Sequence, residues 1–177
     1  MSRAIMSPGA RLIWHVRLQS HSPDMNRRKT EALALAPFKA LAETLGFEYI
    51  SGQGGSNRLA IQKSVYFQFG DLRVELPRCT VVVEVESAGG VTNLAKYWEC
   101  FESRRVEKPI KLLHIFLQKS ANDYEAHMLV WRFLASQMEQ RLSSQWELHC
   151  ATCRETSEAG LESALGVFRG WLEQNAT

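Results

Sequence analysis

The segment Thr80–Glu86, TVVVEVE, constrains this chain more than any other. A run of β-branched valines suits a pleated strand and resists a helix, because two heavy atoms on Cβ stiffen χ1. Strand side chains alternate between faces. Val81, Val83 and Val85 therefore share one face, and Val82, Glu84 and Glu86 share the other. The first set belongs to a core, and two carboxylates project together from the second. A half-exposed strand with a wet outer face accounts for that pattern as readily as a site does.

The residues upstream bear on the choice. Asp71–Leu76 reads as a second strand and Pro77-Arg78 as the turn between the two. If the loop is Pro77 and Arg78 alone, Asp71 falls directly opposite Glu84. If it also takes in Cys79 and Thr80, Asp71 faces Glu86. Either register gathers Asp71, Glu84 and Glu86 on one face. Like charges directly opposite each other are destabilising, so such a cluster calls for raised pKa values or a bound cation. Oxygen-only ligands suit Mg²⁺ or Mn²⁺ rather than zinc. Lys96 follows in the first turns of the next helix, after Gly89-Gly90. Its ammonium can reach the cluster to hold a phosphate or assist loss of a proton from water, although an exposed helix lysine is the competing reading.

Along the rest of the chain, Lys29–Leu45 reads as a helix stopped by Gly46, with a kink or break expected at Pro37. Phe47–Ile50 is a short strand and Ser51–Arg58 a loop. That loop lacks the Lys-Ser/Thr of a phosphate-binding P-loop. Leu59–Phe69 is predicted as one strand. After Thr80–Glu86, a helix spans Val91–Glu102 with Thr92 as its N-cap. A strand at Ile110–Gln118, a helix at 123–142, a strand at Trp146–Cys150 and a closing helix at 157–173 complete the order. Strands grouped ahead of a helix–strand alternation predict a mixed sheet flanked by helices.

A chain of 177 residues supports one well-buried core and has difficulty supporting two. No run approaches the roughly 20 apolar residues of a membrane span, and no apolar leader is evident at the start. The expectation is a cytoplasmic protein with no membrane partner. Four cysteines are too few for a disulfide scaffold. Cys150 and Cys153 have CxxC spacing but no second pair, so thiols ending a strand are preferred to a zinc site. The net charge of +2 is uneven: residues 1–30 carry Arg3, Arg11, Arg17, Arg27, Arg28 and Lys29 against Asp24 alone. Residues 1–24 are read as a basic arm or extension, with Met25 resembling a natural start, and 25–177 as a single domain. His114 is expected in the core or near the site. His127, Trp131 and Leu134 share helical spacing and are expected to pack, as are Trp98 and Phe101. Ser64, Ser87 and Ser136 have no His-Asp company that would support a serine hydrolase.

The Asp71 strand, the Glu84/Glu86 strand and the helix that follows resemble the PD-(D/E)xK phosphodiesterases over roughly residues 28–118. The family's restriction-endonuclease-like fold implies α/β architecture: an αβββαβ core with a mixed central sheet flanked by helices, here with a C-terminal αβα extension. Gly70 stands where the family often has Pro. By position, Asp71 and Glu84 would hold Mg²⁺ or Mn²⁺, with the Val85 carbonyl as a further ligand. The family's lysine position falls on Glu86. Some members carry Glu there, and others move the lysine to the following helix, here Lys96. Glu31 matches the rough position of an additional acid, with Glu43 as its competitor. The implied activity is metal-dependent hydrolysis of nucleic acid, DNA ahead of RNA, with Glu86 or Lys96 orienting or deprotonating the water. Arg27, Arg28, Arg104, Arg105 and Lys108 are the candidates for backbone contacts, and a homodimer is compatible with the family. The alternative is a nucleic-acid-binding or assembly protein that kept the fold and lost the chemistry.

Overall fold

A computed structural model describes residues 23–52, 55–87, 92–118, 125–142, 144–153 and 158–177. The protein is α/β: the described residues form a five-stranded mixed sheet, a separate two-stranded sheet and four helices. The order is α1 (Pro23–Thr44), β1 (Ile50–Ser51), β2 (Arg58–Gln62), β3 (Val65–Gln68), β4 (Leu72–Glu75), β5 (Thr80–Glu86), α2 (Thr92–Glu102), β6 (Ile110–Leu117), α3 (Glu125–Leu142), β7 (Trp146–Cys153) and α4 (Glu158–Gln174). The main sheet runs β1-β4-β5-β6-β7. Its first two pairings are antiparallel and its last two parallel.

The valine strand is central, and both its faces are covered. On one side, Val81, Val83 and Val85 join Leu72, Val74, Leu113 and Ile115 beneath α1 and α4, with Phe38 edge-on to Phe168 at 5.5 Å. On the other side, Val82 joins Leu112, Phe116, Leu94, Tyr97, Trp131 and Met138 beneath α2 and α3. The wet outer face is excluded: Glu84 is 3% exposed and Glu86 6%. A parallel crossover places its helix on a sheet face, and here two successive crossovers put α2 and α3 on the same one.

The prediction of one strand over Leu59–Phe69 is corrected. Residues 58–68 form a hairpin, β2–β3, with a bulge near Ala60 and a turn at Lys63-Ser64, where Ser64 takes φ 65°. The short β1 instead provides the edge of the main sheet beside β4. At Pro37 the helix continues, so of the expected kink or break the break does not occur. Packing explains the difference: Ala34, Leu35, Phe38 and Ala42 anchor one stripe of α1 to the sheet on both sides of the proline. That burial offsets a proline cost of about 3 kcal/mol. The helix stops at Gly46 as expected; φ is +77°, and Phe47 N–H reaches back to Ala42 O at 2.9 Å. The last strand is longer than expected and takes in both Cys150 and Cys153. Residues 1–22, and with them most of the basic arm, lie outside the described residues.

Candidate active site at the end of the central strand

The observed register is that of the two-residue loop. Leu72 pairs with Val83 and Glu75 with Thr80, and Asp71, just beyond the paired residues, lines the same cleft as Glu84. Gly70 makes the approach possible. Its φ is +82°, and a Cβ there would stand 2.4 Å from Val82 Cγ1. Asp71 N–H donates to Val83 O at 2.9 Å, while its Oδ2 accepts from Val85 N–H at 2.8 Å. The carboxylate thus takes the place of the next ladder partner on β5. Gln68, at the root of the hairpin, donates to Asp71 Oδ1 at 3.0 Å.

Helix α2 brings the remaining donors. Lys96 Nζ lies 2.5 Å from Glu84 Oε1, and Tyr97 OH donates to the same oxygen at 2.6 Å. Lys96 is 8% exposed, so it is neither at a rim nor on a solvated face. Asn93 Nδ2 donates to Glu86 Oε1. His114, wholly buried, accepts Trp131 Nε1–H on Nδ1 at 2.9 Å and turns Nε2 toward Glu86 Oε1 at 3.8 Å. From α1, Glu31 Oε1 accepts the Ser87 hydroxyl at 2.7 Å and the Ser87 N–H at 3.3 Å. Glu31, Gln68, Asp71, Glu84, Glu86, Asn93 and Lys96 line one cleft of about 160 Å³. Two larger hollows, of about 730 and 540 Å³, flank α4 and gather no comparable set of carboxylates.

Burial pushes the Asp71 carboxyl up to about 7, and the neighbouring Glu84 charge adds to the rise; the Val85 N–H and the Lys96 charge oppose it. The Tyr97 hydroxyl is held well above its ordinary range, chiefly by burial and then by Glu84, which keeps it a donor. Among the described residues, no three His, Cys, Asp or Glu side chains form a ready cluster for a metal ion. Magnesium asks less, since it commonly binds through one or two carboxylates and keeps several waters. Asp71 and Glu84 supply that donor set, and a dication there would offset the desolvation and the Glu84 charge that together raise Asp71. The residues fit the group.

The other expected residues are dispersed. Glu43 is exposed and accepts Tyr49 OH at 2.7 Å, so only Glu31 of the two competing acids reaches the cleft. Arg28 is exposed on α1, one turn before Glu31; the Arg27 side chain lies outside the described residues. Arg104 and Arg105 follow the far end of α2, roughly 16 Å of helix away from Thr92. Arg105 is held by Glu99 at 3.3 Å and by the Ile61 carbonyl, and Lys108 by Leu76 O at 3.1 Å. His127 is exposed, contrary to the expected packing role, whereas Trp131 and Phe101 are buried and Trp98 partly so. The Cys150 thiol is pushed up to about 12 and Cys153 upward, both by burial, which disfavours the thiolate a metal or redox role needs. Asn93, Tyr97 and Gln68 were missed from the sequence. Asn93, Lys96 and Tyr97 stand at i, i+3 and i+4, a spacing that could have found the first two; nothing local marks Gln68.

Compared with protein families, curated proteins and solved structures, the chain matches none. Among the described residues, no helix is long and apolar enough to cross a membrane.

Proposed function

We propose that this protein is a metal-dependent phosphodiesterase acting on nucleic acid, with DNA as the first substrate to test. The observation that carries the reading is the meeting of half-buried Asp71 with buried Glu84 and Lys96 in one cleft, where desolvation and the adjacent charge lift Asp71 to about 7. The order α1, β1, β4, β5, α2, β6 in and around the main sheet also supports the likeness to PD-(D/E)xK enzymes, with the β2–β3 hairpin inserted after the first strand.

Asp71 and Glu84 would hold Mg²⁺ or Mn²⁺. When bound, the ion supplies Lewis-acid activation of water and offsets charge building on the phosphodiester. Gln68 and Val85 N–H fix the Asp71 carboxylate, and Tyr97 fixes that of Glu84, so neither has to reorganise as substrate arrives. Lys96 Nζ, already at the cleft, is placed to donate to a phosphate oxygen. Glu86, oriented by Asn93 and faced by His114, is placed to accept a proton from water.

One observation favours a second reading. The Lys96 ammonium already contacts Glu84, and Glu86 occupies the family's lysine position, so a nucleic-acid-binding protein without chemistry has the same site. Cleavage of supercoiled plasmid and single-stranded DNA with Mg²⁺ or Mn²⁺ separates the two. Cutting by the wild type that Asp71→Asn and Glu84→Gln each reduce at least a hundredfold is the expected outcome. Cutting that survives both substitutions, or Mn²⁺ affinity that does not depend on them, would sink the assignment.

A further inference from the structure

The β2–β3 hairpin stands outside the main sheet, and only Leu59 on its strands is buried, with Phe69 anchoring its exit. An element so exposed would ordinarily be polar, yet Val65, Tyr66 and Phe67 are 42%, 44% and 37% exposed. Its charges are of one sign: Arg58 and Lys63 are the charged residues between Ser51 and Gly70, with no acid among them. Pairing places Arg58 opposite Gln68 and Ala60 opposite Tyr66, so Arg58, Tyr66 and Gln68 share one face. Arg58 Cζ lies 4.1 Å from the centroid of the Tyr66 ring. Gln68, on that same face, is the residue that bonds Asp71 in the cleft. The hairpin is also tied to the segment after α2, because Arg105 donates to the Ile61 carbonyl.

We propose that this face of the hairpin is the binding track for single-stranded nucleic acid entering the cleft; this rests on the phosphodiesterase reading above. The chemistry is that of sequence-tolerant single-strand binders, in which an exposed ring stacks on an unpaired base while neighbouring cations follow the phosphates. Tyr66 supplies the ring and Arg58 the charge on this face, with Lys63 adding charge from the turn. The acid-free hairpin also sets positive potential beside an acidic cleft that would otherwise repel a polyanion.

The test is fluorescence anisotropy of a labelled oligothymidine, about 15 nucleotides long to span the usual single-strand site, with the full chain in EDTA, where binding is read without metal or cutting. Tyr66→Ala is expected to weaken binding about five- to hundredfold and Tyr66→Phe to leave it near wild type. Arg58→Ala with Lys63→Ala is expected to weaken it and to flatten its salt dependence. Asp71→Asn is expected to bind at least as well as wild type. Because these side chains are exposed, unchanged thermal unfolding of each variant separates lost contact from lost fold. Equal affinity of wild type and Tyr66→Ala, wild-type affinity that is undetectable, or tighter binding of a blunt duplex irrespective of Tyr66 would each overturn the track. Failure of the catalytic reading registers separately, as loss of cutting with this binding intact.

Discussion

At the scale of single residues, Gly70 decides whether the carboxylates meet. A positive φ costs an L-residue about 1–2 kcal/mol, and a methyl group 2.4 Å from Val82 Cγ1 must displace a packed side chain in the central strand. Gly70→Ala is therefore expected to lower stability by about 2–4 kcal/mol in urea unfolding. Proline, which locks φ near −65°, cannot adopt this conformation at all. Lys96 shows the same dependence on surroundings. A lysine in a helix is ordinarily solvated, and here burial against Glu84 and Tyr97 makes it part of the site. Its sequence neighbours do not encode that burial; α2 lying over the end of β5 does.

At the scale of elements, most of the order was legible. The valine strand, the turn at Pro77-Arg78, the helix stop at Gly46 and the helix after Gly89-Gly90 all follow from local signals, whereas the length of that turn was left open between two residues and four and only the register decided it. Leu59–Phe69 was not legible as a hairpin, because Lys63-Ser64 is a weak turn signal and the turn depends on Ser64 accepting a left-handed conformation. Two-stranded ribbons are marginal alone. This one is held by Leu59 and Phe69 in the second core cluster and by Arg105 from the segment after α2. Removing that tie should loosen the hairpin without loosening the sheet. Arg105→Ala is expected to speed amide hydrogen exchange at residues 58–68 at least tenfold, with β5 and β6 amides unchanged. Uniform acceleration across all strands would instead mean a global loss of stability.

At the scale of the whole molecule, the site opposes the fold that carries it. Asp71 has a pKa of 3.8 when unperturbed and about 7 in the folded chain. The folded protein therefore holds its proton more tightly than the unfolded one does. The stability linked to that proton is fully present below about pH 4 and is lost as pH rises through 7, with a ceiling of about 4 kcal/mol. In chelator, the melting temperature is expected to fall between pH 5 and pH 8, and Asp71→Asn is expected to flatten that decline. Mg²⁺ or Mn²⁺ should restore more stability at pH 8 than at pH 5, since an ion that binds only the folded chain stabilises it by mass action. A melting temperature that rises from pH 5 to pH 8 in both proteins, with no response to either ion, would contradict the raised Asp71 pKa.

The sequence by itself determined which residues could form strands and helices, and that Asp71 and Glu84 would share a face. Those properties depend on side-chain branching, period-two alternation and turn chemistry, all of which act over a few residues. It could not decide whether that face was wet, since alternating valine and glutamate describe a half-exposed strand equally well. Only the tertiary structure decided it, by folding α2 and α3 over the second face and burying both glutamates. The same packing chose Glu31 over Glu43, brought Asn93 and His114 to Glu86, and set Gln68 against Asp71. Contacts between segments distant in the chain are made by the packing of whole elements, and no local pattern records them.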